Sequence, residues 1–159
     1  MSIEQTGSSA TTPGVLVPPP LLYAVPLAAG LLIQHWRHLP LVPGWAAVPL
    51  DVACVFLGLV GFPAFLAFRR ARTSPNPFRP SSALVTTGPF RFSRNPMYVG
   101  LTLLYVGVAI WVNTVWPLLF LPGILIVMHY GVIVREEAYL ERIFGDEYRQ
   151  YARLVRRWL

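Results

Sequence analysis

Four apolar stretches run along the chain, at about residues 15–34, 46–68, 97–111 and 115–134, and polar or charged segments separate them. Each is read as a transmembrane helix, because crossing the ~30 Å hydrocarbon core takes about 20 apolar residues with every backbone group satisfied internally. Pro18, Pro19, Pro20 and Pro26 interrupt the first stretch, which predicts a non-helical approach and a kink. Pro49 and Pro63 fall near the two ends of the second. The third and fourth flank Asn113-Thr114 and read as a tight helical hairpin, the third being short for a full crossing. After Val134 the pattern changes: Leu140, Ile143, Phe144, Tyr148, Tyr151 and Leu154 recur at three-to-four spacing. That periodicity predicts an amphipathic cytoplasmic helix over 135–158, on the bilayer surface or folded back over the spans. Residues 1–14 are polar and rich in turn formers, so they read as a disordered tail, without the cations of a signal peptide. The expected fold is therefore all-α: an integral membrane helical bundle of about four transmembrane helices plus a C-terminal amphipathic helix. A single domain would cover 15–159, with its connecting loop at 69–96.

Composition agrees with that pattern. Of 159 residues 55% are hydrophobic and only 13% charged, against roughly 25% charged in soluble domains, which argues against a soluble core. The net charge of +6 rests on thirteen cations, all of them arginine. Six lie between Arg69 and Arg94, six after residue 134, and Arg37 stands apart. Residues 95–134 carry no formal charge. Basic blocks alternating with long apolar blocks do not suit a nucleic-acid binder. They suit a multi-pass protein whose arginine-rich segments face the cytoplasm, which puts both termini on that side. Trp36, Trp45, Trp111 and Trp116 flank the opposite turns, as interfacial tryptophans do. The lone Cys54 excludes an intrachain disulfide and reads as packing, Asp51 as interfacial or an internal helix contact, and His129 as facing the bundle interior.

Chemistry concentrates in two places. In SSALVTTGPFRFSRNPMYVG (81–100), Gly88-Pro89 signals a turn and Asn95-Pro96 signals an extended residue before a helix start. A helix beginning at Pro96 would turn its positive dipole end toward the loop, where a carboxylate or phosphate could sit. The second place is Arg135-Glu136-Glu137, where adjacent carboxylates at a membrane boundary are costly unless paired or used.

At both places the chain resembles the isoprenylcysteine carboxyl methyltransferase and phospholipid methyltransferase superfamily. LVTTGPFRFSRNPMYVG is similar to its L-V-x-x-G-x-Y-x-x-x-R-H-P-x-Y-x-G motif, and EEAYLERIFGDEYRQY to its closing E-E-x-x-L-x-x-x-F-G-x-x-Y-x-x-Y. The resemblance implies a membrane methyltransferase that uses S-adenosylmethionine and methylates a lipidic or small hydrophobic acceptor, isoprenylcysteine carboxylate-like or phospholipid amine-like. It implies cofactor binding by Ser82, Leu84, Val85, Phe90, Arg94, Asn95, Pro96, Met97, Tyr98, Gly100 and Glu136, and catalytic roles for Arg135 and Glu137. Membrane lipids are the expected partners, with no nucleic acid and no metal. Asn95 stands where the family has His, Phe90 where it has Tyr, and Val132 where the isoprenylcysteine branch has a substrate-binding Arg, which leaves the acceptor open. An NADPH-dependent membrane reductase of the sterol or enoyl type, with a related motif, and a non-catalytic membrane protein of the same fold are the alternatives.

Overall fold

The computed structural model describes residues 13–15, 17–59, 61–71 and 81–159; residues 1–12 of the expected disordered tail, residues 72–80 of the loop and the side chains of Asp51 and Cys54 lie outside it. Among the described residues every regular element is helical. Helix α1 spans Pro19–Trp36 behind a non-helical Pro18. Pro19 and Pro20 occupy its first turn, where a missing N–H is harmless because no intrahelical acceptor exists there.

The stretch read as one span over 46–68 is two helices, α2 (Gly44–Gly58) and α3 (Gly61–Arg70). Gly58 and Gly61 bracket the break, and glycine inside a helix costs about 1 kcal/mol relative to alanine. Pro63 then falls in the first turn of α3, where proline is tolerated. Helix α4 (Pro96–Trp111) packs against α1, α2 and α3.

Helix α5 (Trp116–Met128) does not end near Val134. It passes through a π-turn at His129–Ile133 into α6 (Val134–Phe144), making one helix of 29 residues, Trp116–Phe144. The apolar pattern stops at Val134, but no glycine or proline follows until Gly145, so the backbone continues. Gly145, at φ +54°, turns the chain into α7 (Asp146–Leu154), and residues 155–159 leave the helix. The tail expected as one helix over 135–158 is thus two pieces with a non-helical end. Trp116–Phe144 is long and apolar enough, by length and composition, to cross a membrane; Pro96–Trp111 is apolar but shorter.

Two apolar clusters organise the interior. Tyr23, Tyr105, Ile124, Met128 and Val132 fill the contact of α1 and α4 with the long helix. Ala64, Val85, Phe90, Tyr148 and Tyr151 join α3 and the 81–95 loop to α7. Gly30 of α1 meets Pro117 so closely that an added Cβ would lie 2.7 Å from the Pro117 nitrogen. At this end Asn113, at φ +51°, accepts from the N–H groups of Leu41 and Val42 (both 3.0 Å) and donates to the Val42 carbonyl (2.9 Å). Thr114 donates to Gln34 (3.0 Å) and the Trp116 indole to the Arg37 carbonyl (2.6 Å).

Candidate active site

The site lies at the opposite end, where the 81–95 loop folds over α6 and α7. Gly88, at φ +62°, opens a short 3-10 turn, Gly88–Arg91, that seats Phe90 in the interior. The Phe90 ring meets Phe68 edge-on at 5.2 Å, and its carbonyl accepts the Tyr151 hydroxyl at 2.8 Å. The Ser81 N–H donates to the Tyr139 hydroxyl at 3.0 Å. The loop is held by tyrosines from two different helices.

Under this loop is a cavity of about 570 Å³, within the range typical of small-molecule sites. Its walls are largely apolar and aromatic: Phe65, Phe68, Leu84, Val85, Phe90, Met97, Leu101 and Leu140, with Tyr98, Tyr139, Tyr148 and Tyr151. Pro13, Pro18, Pro19 and Pro20 form one side. Among the described residues three charged side chains line it, Arg94, Glu136 and Glu137.

The two glutamates differ in their partners. Glu137 is gripped by Arg157, whose Nε donates at 3.0 and 3.1 Å and whose Nη2 donates at 2.6 Å, while Arg94 Nη1 stands 3.3 Å away. Glu136 accepts the Tyr98 hydroxyl at 2.8 Å and has no cation within salt-bridge distance among the described residues. A half-buried carboxylate with one neutral donor retains acceptor capacity for a cationic ligand. Arg94 complements it, since its Nε is buried with no hydrogen-bond partner among the described residues. A guanidinium that lines a cavity with part of its donor capacity unused fits an anionic ligand group.

On α7, burial and the nearby Glu137 charge push the Tyr148 hydroxyl up to about 12, and burial raises Tyr151 as well, so both stay protonated. Hydrogen bonding to Glu137 raises Arg157 further above its already high value.

Of the residues expected at the site, Leu84, Val85, Phe90, Arg94, Asn95, Pro96, Met97, Tyr98, Glu136 and Glu137 line the cavity. Ser82 is exposed on the loop and Gly100 is buried within α4, and neither lines it. Arg135, expected to act in catalysis, is exposed, donates to the Gly14 carbonyl at 3.1 Å and is also outside the lining. Successive residues on a helix diverge by about 100°, so adjacency to Glu136 does not bring Arg135 to the same face. The α4 start offers an anion less than expected, because the Tyr98 and Val99 N–H groups both donate to the Asn95 carbonyl (3.1 Å each). Asn95 is buried, and its amide donates to the Arg157 carbonyl at 2.9 Å. Sequence reading missed Arg157 as a site residue, for which the tail offered only a run of cations. It also missed Tyr148 and Tyr151 as cavity walls, although both stand in the closing motif.

A family model described as phospholipid methyltransferase matches residues 51–147. An uncharacterized protein of Haemophilus influenzae is 41% identical over 63 residues, which is 40% of this chain and all of that protein.

Proposed function

The chain belongs to the phospholipid methyltransferase family, and from that membership we propose that it is an integral-membrane enzyme moving a methyl group from S-adenosylmethionine to a lipidic or small hydrophobic acceptor. The carrying observation is the pair of incompletely satisfied groups on one apolar cavity, the Glu136 carboxylate and the Arg94 Nε. They match the ammonium and the carboxylate of the cofactor's methionine moiety. Leu84, Val85, Phe90 and Tyr98 supply flat apolar walls for its adenine and thioether.

The cofactor brings an already activated methyl on a sulfonium, so the protein's work is to bind, orient and exclude water. Glu136 supplies a carboxyl beside the cationic donor, whose positive charge would favour its ionised form. Tyr98, donating to Glu136, fixes the carboxylate's direction. Glu137, neutralised by two arginines, holds the loop against the helix and takes no proton in this reading.

An apolar acceptor is supported by an open groove of about 740 Å³ between α4 and α5, lined by Val99, Leu103, Leu125, Ile126 and Tyr130 with His129 near its site end. Val132 is packed in the core, so no cation occupies the position where a prenylcysteine carboxylate would be met. The four-span arrangement is part of the proposal: α1, α2 with α3, α4, and α5 with α6 would each cross. Exposed Leu32, Val48, Phe56, Leu119 and Ile126 support lipid contact, and exposed Trp36, Trp45 and Trp111 support an interface at the far end. Arginines at the other end support a cytoplasmic site.

Calorimetric titration of the purified protein in detergent with S-adenosylhomocysteine should show binding with an affinity in the micromolar range. A folded protein that binds neither it nor S-adenosylmethionine would refute the proposal. Radiolabelled methyl transfer into a total lipid extract would then identify the acceptor.

A further inference from the structure

Arg157 lies beyond the residues matched by the family model, yet its side chain holds Glu137, which lines the cavity. Its guanidinium commits all three nitrogens: Nε and Nη2 to Glu137, and Nη1 to His129 Nε2 at 3.3 Å. Arginine only donates, so the His129 nitrogen is the acceptor. Its backbone is engaged as well. The Arg157 carbonyl accepts from Asn95 Nδ2 at 2.9 Å and from Ser93 Oγ at 3.4 Å, and the Arg156 carbonyl accepts the Arg94 N–H at 2.9 Å. Three consecutive loop residues before α4 are therefore tied to Arg156 and Arg157 in the non-helical segment after α7.

The distances around Glu137 show how the charge is shared. Arg157 takes both carboxylate oxygens, with one contact at 2.6 Å, and leaves Arg94 a single 3.3 Å contact. Arg94 is thereby kept from closing on Glu137 as a two-pronged pair, the geometry a guanidinium and a carboxylate otherwise favour. We propose that Arg157 is a positioning residue: by satisfying Glu137 it keeps the Arg94 guanidinium from pairing fully with Glu137 and so leaves it on the cavity wall for the cofactor's carboxylate. This rests on the cofactor reading above and adds to it the residue that sets the charge of the site. Arg94, Arg157 and Glu137 together carry one net positive charge beside the cavity that Glu136 also lines. Without Arg157 that sum falls to zero and Arg94 is drawn onto Glu137.

The test is a charge-restoring pair of substitutions, read by calorimetry with S-adenosylhomocysteine on the full chain in detergent. Arg157→Gln should weaken binding about tenfold, a figure held down because Arg157 is 35% exposed. Arg157→Gln combined with Glu137→Gln returns the local sum to one positive charge and should recover most of the wild-type affinity. Arg157→Lys should fall between wild type and Arg157→Gln, since lysine keeps the charge without the fork. Arg153→Gln, an exposed charge control, should bind as wild type. Affinity of Arg157→Gln within twofold of wild type overturns the inference. So does a double variant that binds no better than the single one, and so does a recovery of affinity that only follows a recovered denaturation midpoint, because neutralising an unpaired Glu137 would repair a merely structural contact as well. If Arg157→Gln does not fold, Arg157→Lys carries the test: weakened binding at a wild-type denaturation midpoint supports the inference, and wild-type binding overturns it. Failure of the wild type to bind is a separate result: it refutes the cofactor reading, and the inference with it.

Discussion

The two ends of the bundle solve the same problem, closing helices off against polar surroundings, with different materials. At the far end Gln34, Asn113, Thr114 and Trp116 bond to each other and to backbone carbonyls and amides, with no ion pair among these contacts. At the site end buried Ser93 and Asn95 are joined by an ionic cluster that is incompletely matched among the described residues: Glu137 has two cations, Glu136 one neutral donor, and the Arg94 Nε no partner. A neutral network with fixed partners gives a unique geometry and nothing to spend on a ligand. A charged network with unmatched members is poorer as scaffolding and better as a receptor. Stability and binding should accordingly separate by end.

The largest break in that comparison is Glu136→Ala. It should weaken S-adenosylhomocysteine binding about a hundredfold, roughly 2.7 kcal/mol, by removing a charged hydrogen-bonding partner of the ligand. The denaturation midpoint should hardly move. Asn113→Ala should do the reverse, because it deletes three hydrogen bonds and places alanine at positive φ. A loss of about 2 kcal/mol in stability with unchanged cofactor affinity is expected, read by denaturation in mixed micelles and by calorimetry. Gly30→Ala should cost about 1–2 kcal/mol, since the new Cβ meets backbone atoms of Pro117 that cannot swing away. Smallest is Arg149→Ala at the edge of the site end. Its contacts to Glu141 and Asp146 are exposed, and neither midpoint nor affinity should change measurably. If Arg149→Ala weakened binding as much as Glu136→Ala, the division between unmatched and merely exposed charge would be wrong.

The sequence announced some of this better than the rest. Asn95-Pro96 marked the start of α4 because a proline at the first helical position leaves a local signature. The apolar count placed the end of the long helix at Val134, since hydropathy reports burial in lipid and says nothing about where hydrogen bonding stops; that waits for Gly145. The closing motif pointed to the glutamate pair, but helical rotation and long-range partners decided their different fates. Glu137 is held by a residue 20 positions later and by Arg94, 43 positions earlier, and no local pattern encodes either contact. Arg135 was singled out as a nearby cation at the closing motif, and the helix turns it to Gly14.

The π-turn at His129–Ile133 carries a consequence for length. A helix that widens for one turn accommodates a surplus residue, so the segments before and after it can keep the faces they would have had in an uninterrupted α-helix. Trp116–Phe144 therefore contains one place where its length is negotiable. Deleting Gly131 should leave Glu136 facing Tyr98, whereas deleting one residue between Trp116 and Met128 should rotate the glutamates by about 100° relative to the far end. Insertions and deletions among related chains should accordingly collect at this turn, and be rare on either side of it.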